Sequence, residues 1–326
     1  MARLSIALPV YNGANFLAEA LESVLAQRFG DFELVVSDNC SKDATPDILA
    51  EFAKRDQRVR VHKTESFLPQ AANVNRSVEL CHTEWVKLFC HDDRLDPACL
   101  EQLWAVVESA PPTLGLVGNA ESWLFENGYL HVVSNARSRS GNWSGPAYLR
   151  QMISQVSPAP LPSLTTATVR KRAWNDAGRF DARFAHFDVF LWARLLTRWD
   201  YAFVDADLSV NRIHGRQVAA DARKSMRSVS DSRTFWAEFV RDFGDELGLG
   251  AVGRLRARMR PLSAAASCIA IELLCSDPVS ALRLARQLPL SWAPVLPLVI
   301  ARNLRAERRK IRSLEQHVPR RMVYPG

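Results

Sequence analysis

The sequence predicts an α/β fold, in which a mostly parallel, twisted sheet is flanked by helices and followed by a C-terminal helical tail. β-Rich runs alternate with amphipathic runs through the first half of the chain, a pattern typical of parallel sheets with helices on both faces. The 326 residues are 48% hydrophobic, which is enough to bury a sizeable core. From residue 246 onward the pattern becomes helical and basic. We therefore expect one large domain over residues 1–245 and a basic helical region over residues 246–326.

The first strand and the first helix are predicted from two adjacent segments. The run RLSIALPV is rich in β-branched and apolar residues and ends near Pro9, which is typical of a buried strand. The next segment, NFLAEALESVLAQRF, indicates an amphipathic helix. Its apolar residues recur at helical spacing: Phe16, Leu17, Ala20, Leu21, Val24 and Leu25.

The same alternation continues along the chain. DFELVVSD and RVRVHK are predicted strands, and the helix TPDILAEFAKRD between them has Thr45 as its expected N-cap and Pro46 at its first position. QAANVNRSVELC is predicted to be helical, and EWVKLFC to be a buried strand. Asp96-Pro97 opens a further helix through ACLEQLWAVVES. LGLVGNA is the next apolar strand.

The middle and the tail of the chain have different patterns. From about residue 126 to residue 163 the sequence is irregular and rich in Ser, Asn, Gly and Pro, and NARSRSGNWSGP is typical of a loop over a site. In the tail, RLRARMRPLSAAASCIAIELLCS and DPVSALRLARQL predict two helices. No internal repeat is evident.

The net charge of +7 is concentrated in the tail. Residues 246–326 carry 14 Lys/Arg against 5 Asp/Glu, and the rest of the chain carries 28 against 30. Apolar and cationic stretches lie side by side in PLSWAPVLPLVIARNLRAERRK, which predicts peripheral contact with an anionic membrane. A solvated basic helix is the alternative. No basic motif with interleaved aromatic residues appears, so we expect no nucleic-acid partner.

The cysteines and the hydrophobic runs indicate the compartment. The six cysteines form no CxxC pair and no framework spacing, which is typical of free thiols in a reducing compartment. The opening MARLSIALPVYNG is too short an apolar run for a signal peptide, and no run of eighteen apolar residues predicts a spanning helix. We therefore expect a cytoplasmic protein, with its tail at the inner face of the plasma membrane.

Polar side chains follow three of the predicted strands at the point where each strand ends. These are Asn12-Gly13, Asp38-Asn39 and Asp92-Asp93. In parallel sheets ligands bind outside the carboxyl ends of the strands, so we expect the three pairs to meet at one edge. Carboxylates there suit Mg²⁺ or Mn²⁺ bridging a substrate's phosphates. Turn formation is the alternative for adjacent Asp residues.

Several segments together resemble the inverting family 2 glycosyltransferases, which have a nucleotide-binding, Rossmann-like GT-A fold. In the donor half they are SIALPVYNGANFLAEALESVLAQ, FELVVSDNCSKDAT and ANVNRSVELCHTEWVKLFCHDDRLDP. RKRAWNDAGRFDARFAHFDVFLWARL looks like the family's acceptor and catalytic segment, and VNRIHGRQV is similar to the stretch that closes its site. The resemblance covers roughly residues 3 to 220 and not the tail.

The resemblance implies a role for each candidate residue. Pro9, Tyr11 and Asn12 would line the nucleotide pocket, Asp38 would accept a hydrogen bond from a uracil or thymine N–H, and Asp92 would lie near the ribose. Asp93 would bind a divalent metal, Mn²⁺ or Mg²⁺, with His214 completing the metal or diphosphate contacts. Asp188 would be the general base.

The resemblance also implies the substrates. They are a UDP- or dTDP-linked sugar donor and a glycan or lipid-linked acceptor used in cell-surface polysaccharide synthesis. An inverting transfer needs a base that removes the proton of the acceptor hydroxyl, and groups that neutralise the charge of the leaving diphosphate.

The chain departs from the family's pattern at two positions. Cys90 and Phe187 stand where many relatives carry acidic residues, which removes one anion near the metal and places an apolar neighbour beside Asp188. Cys90 with His91 lacks the further partners that a zinc site needs.

The residues also leave alternatives open. Asp188 could be an exposed carboxylate at a helix start, and His214 a structural histidine. Four tryptophans could stack on sugar rings or belong to the core: Trp123, Trp143, Trp174 and Trp192.

Two other functions compete with a glycosyltransferase. A catalytically degenerate sugar-nucleotide-binding protein would keep the pocket without turnover. A nucleotidyltransferase would need a glycine- and basic-rich phosphate loop after the first strand, and PVYNGANF is not one.

Overall fold

The computed structural model describes residues 2–132, 140–153, 161–214 and 227–258, together with residues 260, 300, 304 and 317. The strands are β1 Leu4–Val10, β2 Phe32–Asp38, β3 Val59–Lys63, β4 Trp85–Leu88, β5 Arg94–Leu95, β6 Leu114–Phe125, β7 Leu130–Val132, β8 Gly141–Trp143, β9 Ala167–Arg170 and β10 Asp200–Ile213. The helices are α1 Leu17–Leu25, α2 Thr45–Arg55, α3 Gln70–Glu79, α4 Cys99–Glu108, α5 Gly145–Ile153, α6 Lys171–Asp176, α7 Phe187–Leu195 and α8 Arg227–Phe243.

These strands form one mixed sheet with the order β3-β2-β1-β4-β9-β6-β10-β5, with β7 paired to β6 and β8 to β10. β1 pairs in parallel with β2 and β4, and β10 pairs in parallel with β6. β9 runs antiparallel to both β4 and β6, so β6 has the same direction as β4. The carboxyl ends of β1, β2, β4, β6 and β10 therefore reach one edge. The predicted α/β fold with a mostly parallel sheet is confirmed.

The core lies on both faces of the sheet. Alternate residues of β1 belong to different hydrophobic clusters: Ile6 and Leu8 pack in one, and Ala7 packs in the other. Both faces are covered by helices, so β1, β2 and β4 are buried along almost their whole length rather than on one face only. α1 buries Leu17, Ala20, Leu21 and Val24, the spacing of one helix face.

The predicted N-cap of α2 is wrong. Ala44 occupies the N-cap position, and Thr45 is the first helical residue. The Thr45 hydroxyl instead accepts a hydrogen bond from the backbone N–H of Gly13 at 2.9 Å. Asp43 supplies the acceptor that the helix start needs, because its Oδ1 accepts from the Thr45 N–H at 3.0 Å.

The irregular middle segment contains more structure than its composition predicts. β7, β8 and α5 all lie within it. α5 buries Tyr148, Leu149, Met152 and Ile153, so two turns of helix are stabilised by tertiary packing rather than by intrinsic propensity. Residues 133–139, which include much of the predicted loop, lie outside the described residues.

The tail helices predicted within residues 259–326 lie almost entirely outside the described residues. Residues 251–258 are helical, and α8 before them packs Phe235, Trp236, Phe239 and Val240 into the same cluster as α7. The boundary at residue 245 therefore stays a prediction. Among the described residues, every helix is too short or too polar to cross a membrane.

Candidate functional site

A cavity of about 680 Å³ lies at the carboxyl edge of the sheet. The turns after β1 and β4, the ends of β6 and β10, the start of α7 and the segment before β9 line it. Seven of the eight predicted site residues are among the lining residues: Pro9, Tyr11, Asn12, Asp92, Asp93, Asp188 and His214. One cavity thus brings together side chains that are up to 205 positions apart in sequence, from Pro9 to His214.

The turn after β1 is held by its neighbours. Asn12 has a left-handed backbone with φ of 48°, which Asn adopts more readily than most residues. Its N–H donates to Ser41 Oγ at 2.9 Å, and its Oδ1 accepts from the Lys42 N–H at 2.8 Å. Gly13 lies so close to His91 that a Cβ there would stand 2.5 Å from the ring Cδ2. Two strand-end turns therefore touch at a position that admits only glycine.

Asp38 is the one predicted site residue that does not line the cavity. It is buried, and its Oδ1 accepts a hydrogen bond from the Ser41 N–H at 3.1 Å. The next residue, Asn39, does line the cavity. The predicted contact between Asp38 and a nucleobase stays a prediction.

An aromatic pair that sequence reasoning missed lies beside Asn39. Asn39 holds Leu68 through both backbone groups, accepting from its N–H at 2.8 Å and donating to its carbonyl at 2.9 Å. Phe67, on that segment, is 61% exposed and meets the ring of Tyr11, itself 43% exposed, at 4.9 Å between centroids. The signal for Phe67 in the sequence is an apolar residue between turn-forming residues in ESFLPQ.

Asp92 and His214 form the polar pair on the cavity floor. Asp92 Oδ2 and His214 Nε2 are 3.0 Å apart. Burial opposes ionisation of Asp92, but the hydrogen bond to His214 and the nearby His91 and His214 rings together lower the pKa of the Asp92 carboxyl. Asp92 therefore has the environment of a carboxylate anion.

Asp93 has a different environment from its neighbour. Its Oδ1 accepts from the Arg212 N–H at 2.8 Å, and its Oδ2 accepts from the Thr165 hydroxyl. Burial and the adjacent Asp92 charge raise the pKa of Asp93 well above its usual range. Asp92 is the aspartate that faces the ring of His214, and Asp93 is the one that anchors the turn to β10.

Thr165 and Lys87 complete this anchor and were not predicted. Thr165 Oγ1 accepts from the Cys90 N–H at 3.1 Å, and its carbonyl accepts from Lys87 Nζ. Lys87 is fully buried and also donates to Asn119 Oδ1 at 3.2 Å. Burial lowers the pKa of the Lys87 ammonium. A lone lysine inside the apolar run EWVKLFC was the available signal, since buried lysines are paired.

Asp188 lies in the first turn of α7 and lines the cavity. Burial raises the pKa of its carboxyl, and the Val189 N–H and the nearby His186 oppose that rise. Its neighbour Phe187 is buried and meets Phe180 edge-to-face at 5.4 Å. The departure at Phe187 therefore has a packing reason, because the side chain belongs to the hydrophobic core, although the residue also lines the cavity.

The cavity floor has ligand atoms that fit a hard divalent cation. Oxygen and sulfur atoms of Cys90, Asp92 and Asp93 lie within 4.8 Å of one another. The 3.0 Å separation of Asp92 Oδ2 and His214 Nε2 matches adjacent ligands of an octahedral ion with bonds of about 2.1 Å. Burial and the nearby Asp93 and Asp92 charges raise the pKa of the Cys90 thiol well above its usual range, and a hard cation prefers the carboxylate oxygens to sulfur.

Comparisons with known proteins agree with this geometry. The model of glycosyl transferase family 2 matches residues 5–175. Uncharacterized protein MT1568 of Mycobacterium tuberculosis is 26% identical over 235 residues, which cover 70% of this chain and 72% of that protein. The putative teichuronic acid biosynthesis glycosyltransferase TuaG of Bacillus subtilis is 30% identical over 99 residues, or 30% of this chain. The uncharacterized protein y4gI of Sinorhizobium fredii is 34% identical over 110 residues, or 33% of this chain. The chain covers 39% of the length of TuaG and 12% of the length of y4gI.

Two solved structures share the fold. TarS residues 1–349 of S. aureus in complex with UDP-GlcNAc superimposes with a TM-score of 0.60 at 16% identity, covering 96% of this chain and 92% of that one. The mannosyltransferase PcManGT of Pyrobaculum calidifontis, in complex with GDP-Man and Mn²⁺, gives 0.58 at 18% identity, covering 93% and 87%. These likenesses confirm the predicted GT-A fold. Because the family model matches more than half of the chain, the protein belongs to glycosyl transferase family 2.

Proposed function

We propose that the protein is a metal-dependent, inverting glycosyltransferase, which moves a sugar from a UDP- or dTDP-linked donor to a hydroxyl group of a glycan or lipid-linked acceptor. The observation that carries the proposal is the single cavity that brings together Tyr11, the Asp92–His214 pair and the Asp188 carboxyl. The complexes of TarS with UDP-GlcNAc and of PcManGT with GDP-Man and Mn²⁺ support it.

The nucleoside of the donor would bind at the β1–β2 end of the cavity. Tyr11 and Phe67 present exposed aromatic surface there, which suits the flat face of a nucleobase. Asn39 holds the segment that carries Phe67, so this surface is positioned before a ligand arrives. We propose that Pro9 and Asn12 lie beside this aromatic surface. Asp38 would stabilise the cavity wall by accepting a hydrogen bond from the Ser41 N–H.

Asp92 and His214 would hold the divalent cation. When bound, the cation neutralises the diphosphate that leaves. Asp93 is the ligand that the sequence predicts, and it stays a candidate, because each of its oxygens accepts one protein hydrogen bond and keeps a second lone pair. We propose that Asp92 and Asp93 both face the cation, and that Asp93 also fixes the turn through Thr165 and Arg212.

Asp188 would act as the general base. The acceptor oxygen forms a bond to the anomeric carbon as the bond from that carbon to the donor's phosphate oxygen breaks, and the hydroxyl proton passes to the Asp188 carboxylate. Partial burial suits this role, since a raised pKa makes a carboxylate a stronger base.

Two further proposals concern the acceptor and the tail. The name of TuaG supports a role in cell-surface polysaccharide synthesis. We propose that residues 1–245 form the catalytic domain and that residues 246–326 make a peripheral contact with anionic membrane, because this region carries 14 basic against 5 acidic residues. A cytoplasmic enzyme at the inner face of the plasma membrane follows from these two proposals.

A donor panel tests the function. The full chain is incubated with Mn²⁺ and UDP-glucose, UDP-galactose, UDP-GlcNAc, dTDP-glucose or GDP-mannose, and release of the nucleoside diphosphate is measured before and after EDTA. We expect turnover of a UDP- or dTDP-linked donor that EDTA abolishes and that Asp188→Asn and Asp92→Asn each abolish. Binding of UDP without turnover of any donor would instead identify a degenerate binding protein. Turnover that survives EDTA would refute the metal role.

A further inference from the structure

The far wall of the cavity carries a polar and aromatic cluster that the donor site does not use. Trp123 on β6 and Asn211 on β10 are direct partners in the parallel ladder, and both line the cavity together with Ser163. Glu121 links all three: its Oε1 accepts from Trp123 Nε1 at 3.0 Å, and its Oε2 accepts from Asn211 Nδ2 at 2.7 Å and Ser163 Oγ at 3.2 Å. We name these four residues the Trp123 wall.

Trp123 is not a core residue. Every other tryptophan in the described part of the chain packs in or against one of the two hydrophobic clusters: Trp85, Trp104, Trp143, Trp174, Trp192, Trp199 and Trp236. Trp123 belongs to neither cluster, although its indole is held by the Glu121 carboxylate. A large aromatic side chain that is fixed in place on a cavity wall has the properties of a ligand-binding surface.

Asn211, which lines the same space, carries an acceptor without a partner among the described residues. Its Nδ2 donates to a carboxylate and a hydroxyl, which determines the orientation of the amide, since a carboxylate requires a donor. Its Oδ1 is buried and has no hydrogen-bond partner in the described structure. Such an atom destabilises a protein unless a water or a ligand donates to it. A sugar hydroxyl is a donor of suitable size.

The wall lies on the side of the cavity away from the nucleoside end. Tyr11 follows β1, whereas the wall is on β6 and β10, with β4 and β9 between them. From Trp123 aromatic rings continue out of the cavity: His131 is 6.0 Å away between centroids, and Tyr129 is 6.4 Å from His131. Trp123 and His131 are direct partners in the β6–β7 ladder. A track of this kind suits a ligand longer than one sugar.

We infer that the Trp123 wall is the binding subsite for the terminal saccharide of the acceptor, with His131 contacting the next sugar outward. The indole face of Trp123 covers the C–H face of a pyranose ring, and Asn211 Oδ1 accepts from one of its hydroxyls. The acceptor is therefore a carbohydrate chain rather than a protein or a bare lipid. This inference rests on the proposed function, because the subsite matters only if a donor sugar is transferred.

The test separates acceptor binding from donor binding. Binding of octyl β-glycosides of glucose, galactose, GlcNAc and GalNAc to the UDP-loaded full chain is measured by saturation-transfer NMR, and binding of UDP by calorimetry. We expect at least one glycoside to bind the wild type, and Trp123→Ala to weaken that binding about tenfold more than it weakens UDP binding. Trp123→Phe, which keeps an aromatic face but loses the bond to Glu121, should be intermediate.

Each other outcome has a distinct meaning. His131→Ala should weaken binding of a disaccharide acceptor, and its matched control Val132→Ala, an exposed neighbour on the same strand, should not. If no glycoside binds the wild type, or if Trp123→Ala weakens glycoside and UDP binding equally, the subsite is refuted. Failure of the wild type to bind either UDP or dTDP in the presence of Mn²⁺ would instead refute the proposed function. Normal unfolding temperatures of the variants exclude a general loss of structure.

Discussion

Gly13→Ala should distort the candidate site, because Gly13 lies in the turn after β1. An added Cβ would meet His91 Cδ2 at 2.5 Å and Val10 Cγ2 at 2.7 Å, distances that require both side chains to move. His91 directly precedes Asp92, so its movement changes the turn that carries the proposed cation ligand. Overpacking of this kind costs about 1–3 kcal/mol of unfolding free energy, and a displacement of about 1 Å at reacting groups costs roughly 100-fold in rate.

Gly30→Ala is the matched control, because a Cβ at Gly30 would meet no atom within 4 Å. Urea unfolding gives the free-energy change, and donor turnover with Mn²⁺ gives the rate. We expect Gly13→Ala to lose about 1–3 kcal/mol and most of its turnover, while Gly30→Ala stays within about 0.5 kcal/mol of wild type. His91→Ala combined with Gly13→Ala should recover part of the lost stability, since only the Val10 contact then remains. Equal stability and turnover in both alanine variants would refute the steric argument.

Three further predictions concern pH and the tail. Because burial raises the pKa of Asp188 and a general base must be ionised, kcat/KM should fall as pH decreases through a value above that of an ordinary carboxyl. A pH–rate profile whose acid limb lies at or below pH 4 would contradict this role for Asp188. At Glu33, burial opposes ionisation, but hydrogen bonds from Ser5, His82 and Arg60 lower the pKa of the carboxyl. The ionised Glu33 carboxylate therefore stabilises the folded protein at pH values above the pKa that Glu33 has in the unfolded chain. This stabilisation is lost as the pH falls through the lower pKa that Glu33 has in the folded protein. Glu33→Gln should be less stable than wild type in urea at pH 7, with a gap that narrows in acid; a constant gap would count against the linkage. Finally, the full chain should float with vesicles that contain 30% phosphatidylglycerol and not with pure phosphatidylcholine vesicles, and it should be released by salt. Equal flotation with both kinds of vesicle would contradict an electrostatic attraction between the tail and anionic lipid.

The candidate site was largely predictable because the topology of a parallel sheet determines where strand ends meet. Asn12 and Asp92 follow apolar runs that alternate with amphipathic helices, and the carboxyl ends of such strands share one edge. Asp188 and His214 came from the resemblance alone, since nothing local distinguishes them from a helix-start carboxylate and a structural histidine. Their place in the cavity depends on how α7 and the end of β10 pack against the first half of the sheet.

Other features could not be read from local patterns. Two adjacent aspartates look equivalent in a sequence, yet the Thr165 hydroxyl and the Arg212 N–H occupy both oxygens of Asp93, while Asp92 faces His214. Thr165 is 72 positions away from Asp93 and Arg212 is 119 positions away. α5 was missed because its stability comes from burying Tyr148 and its neighbours rather than from helix propensity.

The sequence by itself determined the α/β class, the order of the first strands and helices, and the family, because each depends on periodicity or on motifs within one segment. Only the tertiary structure decided which of the two aspartates faces His214, why position 187 is apolar, and which of the eight tryptophans among the described residues lines the site. Those distinctions depend on contacts between residues far apart in the chain, and burial and hydrogen-bond partners at such contacts cannot be inferred from neighbouring residues.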